Sequence, residues 1–185
     1  MALTPSSMLP LGTIAPDFIL PDTISGNMIS LQQEKSGIGT VIMFICNHCP
    51  YVIHIQPLLS DIAKKYQAQG IKFIAINSND IKKYPDDSPE KMKLNAETIG
   101  YSFPYLFDET QQIARAYQAA CTPDFYLFDH ALHCVYRGRF DDSTPGNSIP
   151  VTGKDLSAAL DALLSNKKID SDQKPSVCCN IKWKK

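Results

Sequence analysis

The chain has 185 residues, enough for one domain with a substantial core. Apolar residues make up 44% and charged residues 20%, ordinary values for a globular protein, and a net charge of −1 argues against a nucleic-acid or anionic-membrane partner. The longest wholly apolar run, Val41 to Cys46, falls far short of the ~18 residues of a membrane-spanning helix.

The first residues, MALTPSSMLPLGTIAPDF, carry no positive region and no uninterrupted apolar stretch, so a cytoplasmic protein is expected. DFIL and NMISL read as short extended pieces around the turn formers Asp22, Ser25 and Gly26. Val41 to Ile45 is apolar at every position and too short for a helix, the pattern of a strand buried on both faces. Pro50 can open a helix, and Val52, Ile55, Leu58, Leu59, Ile62 and Tyr66 continue it at helical spacing to Gly70, with a kink expected at Pro57. Ile71 to Ile76 is the next buried strand.

Ser88 followed by Pro89 predicts a helix start, and Met92, Ala96 and Ile99 carry that helix to Gly100. A short helix is expected over residues 110–118, with Ile113, Ala114 and Tyr117 inward. DFYLFD and CVYRGRF predict two strands joined by Asp129 to His133. Thr152 and Asp155 resemble a capping box before LSAALDALL. Beyond Ser165 the chain turns polar and ends in KPSVCCNIKWKK, whose lysines read as a solvated tail. The order implies a parallel β-α-β unit followed by an antiparallel hairpin in one sheet.

Six cysteines are present: Cys46, Cys49, Cys121, Cys134, Cys178 and Cys179. Cytosolic thiols stay reduced unless they are catalytic or metal-bound, so Cys46-Asn47-His48-Cys49 reads as chemistry. Its place on a strand–helix seam puts it at the positive end of a helix, which stabilises a thiolate. The first thiol, Cys46, is expected to be the more exposed of the two, to have a lowered pKa and to attack a disulfide; Cys49 resolves the mixed disulfide. His48 is expected to lower the Cys46 pKa further. A zinc site is the rival reading, with Cys178 and Cys179 completing the set, although neighbouring side chains in an extended segment point opposite ways. Cys121 and Cys134 read as small buried thiols, and Arg137 and Arg139 as partners for Asp141 or Asp142.

At this point the chain resembles the thioredoxin superfamily, in particular its peroxiredoxin-like (AhpC/TSA-related) branch that carries Cys-x-x-Cys. The matching pieces are APDFILPD, FICNHCPYV, INSND, FPYLFDE, CTPDFYLFD, YRGRFDD and CNIKWK, which span about residues 12 to 183. The resemblance implies an α/β thioredoxin fold, with a central mixed sheet flanked by helices and an N-terminal β-hairpin extension. It implies a single domain over residues 1–164, with residues 165–185 as a tail packed on it.

By the same resemblance the Thr122–Pro123 bond is cis and shapes a substrate groove beside Cys46 and Cys49. Cys179 stands where that branch has a cysteine and is a candidate third redox thiol; Cys178 stands where glycine is usual. Two departures matter. The peroxiredoxin proline and hydroxyl positions are held by Ile42 and Cys46, and the buried acid of thioredoxins is replaced by Thr40. The implied activity is thiol–disulfide exchange with protein or small-molecule disulfides and a reducing thiol partner, without cofactor, metal, nucleic acid or membrane. A weak peroxidase and a zinc- or copper-binding protein are the alternatives.

Overall fold

The computed structural model describes residues 3–185; Met1 and Ala2, which the N-terminal reading and the 1–164 boundary include, lie outside the described residues. Strands β1 (Leu3–Pro5), β2 (Ile19–Pro21) and β3 (Met28–Ser30) precede a single helical turn, α1 (Leu31–Glu34). Then come β4 (Gly39–Phe44), α2 (Pro50–Gln67), β5 (Lys72–Asn77), α3 (Pro89–Ile99), β6 (Tyr105–Phe107) and α4 (Gln112–Ala116). The chain closes with β7 (Cys121–Thr122), β8 (Asp124–Asp129), β9 (Cys134–Gly138), α5 (Lys154–Leu164) and β10 (Val177–Asn180).

The main sheet has the order β6-β5-β4-β8-β9, parallel on the β6 side of β4 and antiparallel on the β8 side. β4 is central, and the alternation of its side chains explains its unbroken apolar run. Val41, Met43 and Ile45 face one core, shared with α2, α3 and α5. Ile42 and Phe44 face a second core, shared with Leu9, Phe18, Tyr117 and Tyr126. β2 and β3 form the N-terminal hairpin.

Most expected elements are present, with instructive differences. α2 runs unbroken through Pro57. α3 starts at the expected cap, with the Ser88 hydroxyl accepting from Lys91 N–H at 3.4 Å. α5 is capped otherwise than expected: the Asp141 carboxylate accepts from Thr152 N–H and Gly153 N–H, both at 2.7 Å. Arg139 pairs with Asp155 at 2.5 Å rather than with Asp141 or Asp142.

The last residues continue the fold. β10 lies between β1 and β7, antiparallel to both. Ile181 is buried in the second core, and the Arg115 guanidinium sits 4.4 Å over the Trp183 ring. Gly138 makes this return possible. Its φ of 134° suits glycine, and an added Cβ would stand 2.1 Å from the Lys174 carbonyl oxygen, which accepts from Arg139 N–H at 3.1 Å. No helix among the described residues is long and apolar enough to cross a membrane.

Candidate active site

β4 ends two residues before Cys46, and α2 begins at Pro50, whose missing N–H costs nothing in a first turn. Cys49 is the N-cap residue of α2, extended at φ −73° and ψ 121°, and its carbonyl accepts from Val52 and Ile53 N–H, both at 3.0 Å. The pair therefore sits on the seam where the helix presents its positive end. Both thiols are buried, Cys46 at 1% and Cys49 at 0% exposure. The lid is the β7–β8 junction. The Thr122–Pro123 bond is cis. The Thr122 hydroxyl lies 3.3 Å from the Cys46 sulfur, and its carbonyl oxygen lies 3.1 Å from the Cys49 sulfur.

The electrostatics reverse the sequence expectation. The Cys46 pKa is raised well above the usual thiol range by burial first, then by the Cys49 sulfur and the Asp87 carboxylate. Cys49 is pushed down to about 5. The Cys46 thiol donating to its sulfur is the largest cause, burial opposes, and the Cys179 thiol and the Val52 N–H add donors. The Thr122 carbonyl opposite favours the protonated form, but it is outnumbered by those donors.

Cys179 reaches this site from β10, where it stands opposite Thr122. Burial, and next the Cys49 sulfur, push its own pKa up to about 12. Cys178, its neighbour, points the other way, to Cys121 and to the Pro123 carbonyl. The four thiols of the rival zinc reading are thus not gathered around one point. Cys134 is buried, and burial lifts its pKa to about 12.

His48 does not aim its charge at Cys46. Its Nδ1 faces the Asp87 carboxylate at 2.6 Å, its ring stacks on Tyr84 at 5.0 Å, and its raised pKa comes first from Asp87. Its Nε2 is buried without a hydrogen-bond partner among the described residues.

Asp87 is the residue of the candidate site that the sequence reading missed. It is wholly buried in a 3-10 turn, Pro85–Asp87, and accepts from Asn47 N–H at 2.7 Å, from His48, and from the Asn79 amide at 2.8 Å. Cys46, a ring nitrogen of His48 and the Asp87 carboxylate lie within 4.8 Å of one another. These could ligate a metal ion, but Asp87 is already spent on three donors.

The signal for Asp87 lies in topology: parallel neighbours such as β4 and β5 put the loops after their C-terminal ends side by side. An acid in the segment after β5 therefore falls beside Cys46. Thr40, at the position of the usual buried acid, uses its hydroxyl to accept from Ser36 N–H at 3.0 Å.

Comparison with known proteins shows the family and the fold. Residues 11–137 match the model of the AhpC/TSA family. A thiol-disulfide oxidoreductase ResA from Geobacillus kaustophilus is 29% identical over 126 residues, 68% of this chain and 67% of the relative. An uncharacterized conserved protein from Geobacillus kaustophilus has a solved structure with a TM-score of 0.98 and 58% identity, over 100% of this chain and 97% of that one. A hypothetical protein from Sinorhizobium meliloti 1021 follows at 0.95 and 46%, over 98% of each chain. A putative thiol:disulfide interchange protein DsbE from Chlorobium tepidum superposes at 0.66 with 22% identity, over 84% of this chain and 99% of that one, a likeness of fold alone.

Proposed function

Because the chain belongs to the AhpC/TSA family of the thioredoxin superfamily, and because two thiols meet at a helix N-terminus beside a cis-proline, we propose that it is a thiol–disulfide oxidoreductase. The observation that carries the reading is the placement of the two thiols, with Cys49 as the helix N-cap and both sulfurs against Thr122 at the cis-proline. Cys49 has its pKa pushed down to about 5, while that of Cys46 is raised. The thiolate is the nucleophile in disulfide exchange, so Cys49 attacks first and Cys46 resolves, the reverse of the order expected from sequence.

The Cys49 thiolate attacks one sulfur of R–S–S–R′, forming Cys49–S–S–R and releasing R′SH after proton uptake. Cys46 then gives its proton to the His48–Asp87 dyad. Its sulfur attacks the Cys49 sulfur, and RSH leaves. The two electrons of the substrate's reduction come from the dithiol, and a reducing thiol partner restores it. His48 Nε2 is the open acceptor when the ring is neutral, and Asp87 fixes the Nδ1 tautomer. Pro123 shapes the groove through which the substrate disulfide approaches. Cys179 can exchange with a Cys49 disulfide as a third thiol. A cytoplasmic setting, with reducing thiols at hand, belongs to the same proposal.

A second reading has one observation in its favour. A Cys49 thiolate ahead of Pro50 could also attack a peroxide, giving a sulfenate that Cys46 condenses to the same disulfide with loss of water. The test is equilibration of the reduced protein in glutathione buffers of graded potential, followed by peptide mapping. The proposal predicts reversible closure of Cys46–Cys49 at one defined potential. Two thiols that stay alkylatable in the most oxidising buffer overturn it.

A further inference from the structure

A second pair of thiols stands sulfur to sulfur outside the site just described. Cys121 lies in β7 and Cys178 in β10, and Cys121 is opposite Asn180 in the antiparallel register. Cys178 is two residues from that partner, so its side chain emerges on the same face as that of Cys121. Their sulfurs are 2.8 Å apart. That is inside the ~3.5–4.0 Å of ordinary non-bonded contact and about half of the way to the ~2.05 Å of a disulfide bond. A second observation points to a reactant. Cys178 lines a 210 Å³ cavity with Pro123, Tyr51, Ile55, Phe140 and Ser143, whereas Cys46 and Cys49 do not line it. The space is several times the ~30 Å³ share of one water molecule.

We propose that Cys121 and Cys178 are a second redox pair, which closes to a disulfide on exchange with a low-molecular-weight disulfide entering this groove. Cys178, deprotonated, attacks R–S–S–R; Cys178–S–S–R forms and the first RSH leaves. The Cys121 sulfur then attacks the Cys178 sulfur, the new bond forms, and the second RSH leaves. The pair loses two electrons and two protons, and the entering disulfide gains both. The adjoining Cys121 sulfur, then burial, raise the Cys178 pKa, so exchange is slow and suits a state that is set and held rather than turned over. The bridge ties β10, which brings Cys179 to Cys49, to the strand that leads into Pro123.

The pair is independent of Cys46 and Cys49, and the experiment keeps the two proposals apart. Full-length reduced wild type and the double variant Cys46→Ser/Cys49→Ser are incubated with glutathione disulfide, acid-quenched, alkylated and mapped without reduction, with fragmentation to separate Cys178 from Cys179. In both proteins the Cys121 and Cys178 peptides are joined, and the thermal midpoint rises by about 5–10 °C over the reduced form. Both thiols recovered alkylated, Cys178 joined to Cys179, or Cys178 held as a glutathione adduct beside a free Cys121 would each overturn the inference. Should the double variant not fold, the wild-type map decides alone. Closure of Cys121–Cys178 with an unreactive Cys46–Cys49 refutes the proposed function and leaves this pair standing.

Discussion

Replacing Asp87 by asparagine removes one charge and keeps the shape, in a place where the charge has several effects. The carboxylate accepts from Asn47 N–H and the Asn79 amide and faces His48 Nδ1 at 2.6 Å. An amide at this position has one accepting oxygen and turns two N–H groups toward at least one donor. The charge-assisted bond to His48 is worth ~1.5–3 kcal/mol, and a donor left facing a donor costs ~1–3 kcal/mol. A loss of about 2.5–6 kcal/mol is therefore expected, and it depends on pH.

The Asp87 pKa is lowered from 3.8 and the His48 pKa is raised from 6.5, so the sign differs at the two ends. The carboxylate's contribution is present above about 3.8 and is lost as pH falls through its folded value. The imidazolium's contribution is complete below about 6.5 and is lost as pH rises through its folded value. Wild type and Asp87→Asn thus differ most between these values. Urea unfolding across pH gives the stability difference, and the His48 Cε1–H proton resonance gives its titration. The variant's His48 midpoint should fall toward its ordinary value. A stability difference that does not change with pH, together with an unmoved His48 midpoint, would refute the reasoning.

Cys179→Ala removes one sulfur donor to Cys49, so the Cys49 midpoint, read from thiolate absorbance at 240 nm, should move up; an unchanged midpoint separates Cys179 from the site. Gly138→Ala drives a Cβ into the Lys174 carbonyl and occupies a φ of 134°. It should cost at least ~1–3 kcal/mol and alter the fluorescence of Trp183, the single tryptophan; an unchanged spectrum would mean that the return of the tail does not rely on this close approach. Asp124 is wholly buried, and burial raises its pKa from 3.8 to about 6. Its stabilising balance is lost as pH rises from about 3.8 to about 6, because the unfolded chain releases the proton first. Asp124→Asn should therefore gain up to ~3 kcal/mol over wild type at pH 7 and little at pH 4, by urea unfolding; a gain equal at both would contradict the burial argument.

The strands and helices that frame the site were legible because their signals are local. An unbroken apolar run named β4, and proline after Cys49 named the start of α2. β6, β7 and β10 are two to four residues long, too short for a period to register, and they owe their pairing to distant partners. The Cys-x-x-Cys position followed from the strand–helix seam, but the order of attack proposed here did not. That depends on which thiol caps the helix, on the donors that Cys179 brings from 130 residues away in sequence, and on the carboxylate of Asp87. Asp87 itself sits in a proline-flanked turn that reads as linker, and only the parallel alignment of β4 and β5 carries it to Cys46. For the same reason the role of His48 was misread: its Nδ1 faces the Asp87 carboxylate, which lies far from it in sequence.

Trapping of mixed disulfides tests the order of attack most directly. Cys46→Ser and Cys49→Ser proteins, reduced and then exposed to a disulfide substrate such as 5,5′-dithiobis(2-nitrobenzoate) at pH 6, are analysed by mass spectrometry after an acid quench. With a Cys49 thiolate at the helix N-cap, Cys46→Ser should be modified rapidly on Cys49, as the adduct or as the Cys49–Cys179 disulfide to which it exchanges, while Cys49→Ser, left with Cys46 and its raised pKa, should react far more slowly. Rapid accumulation on Cys46 in Cys49→Ser, with none on Cys49 in Cys46→Ser, would contradict the account.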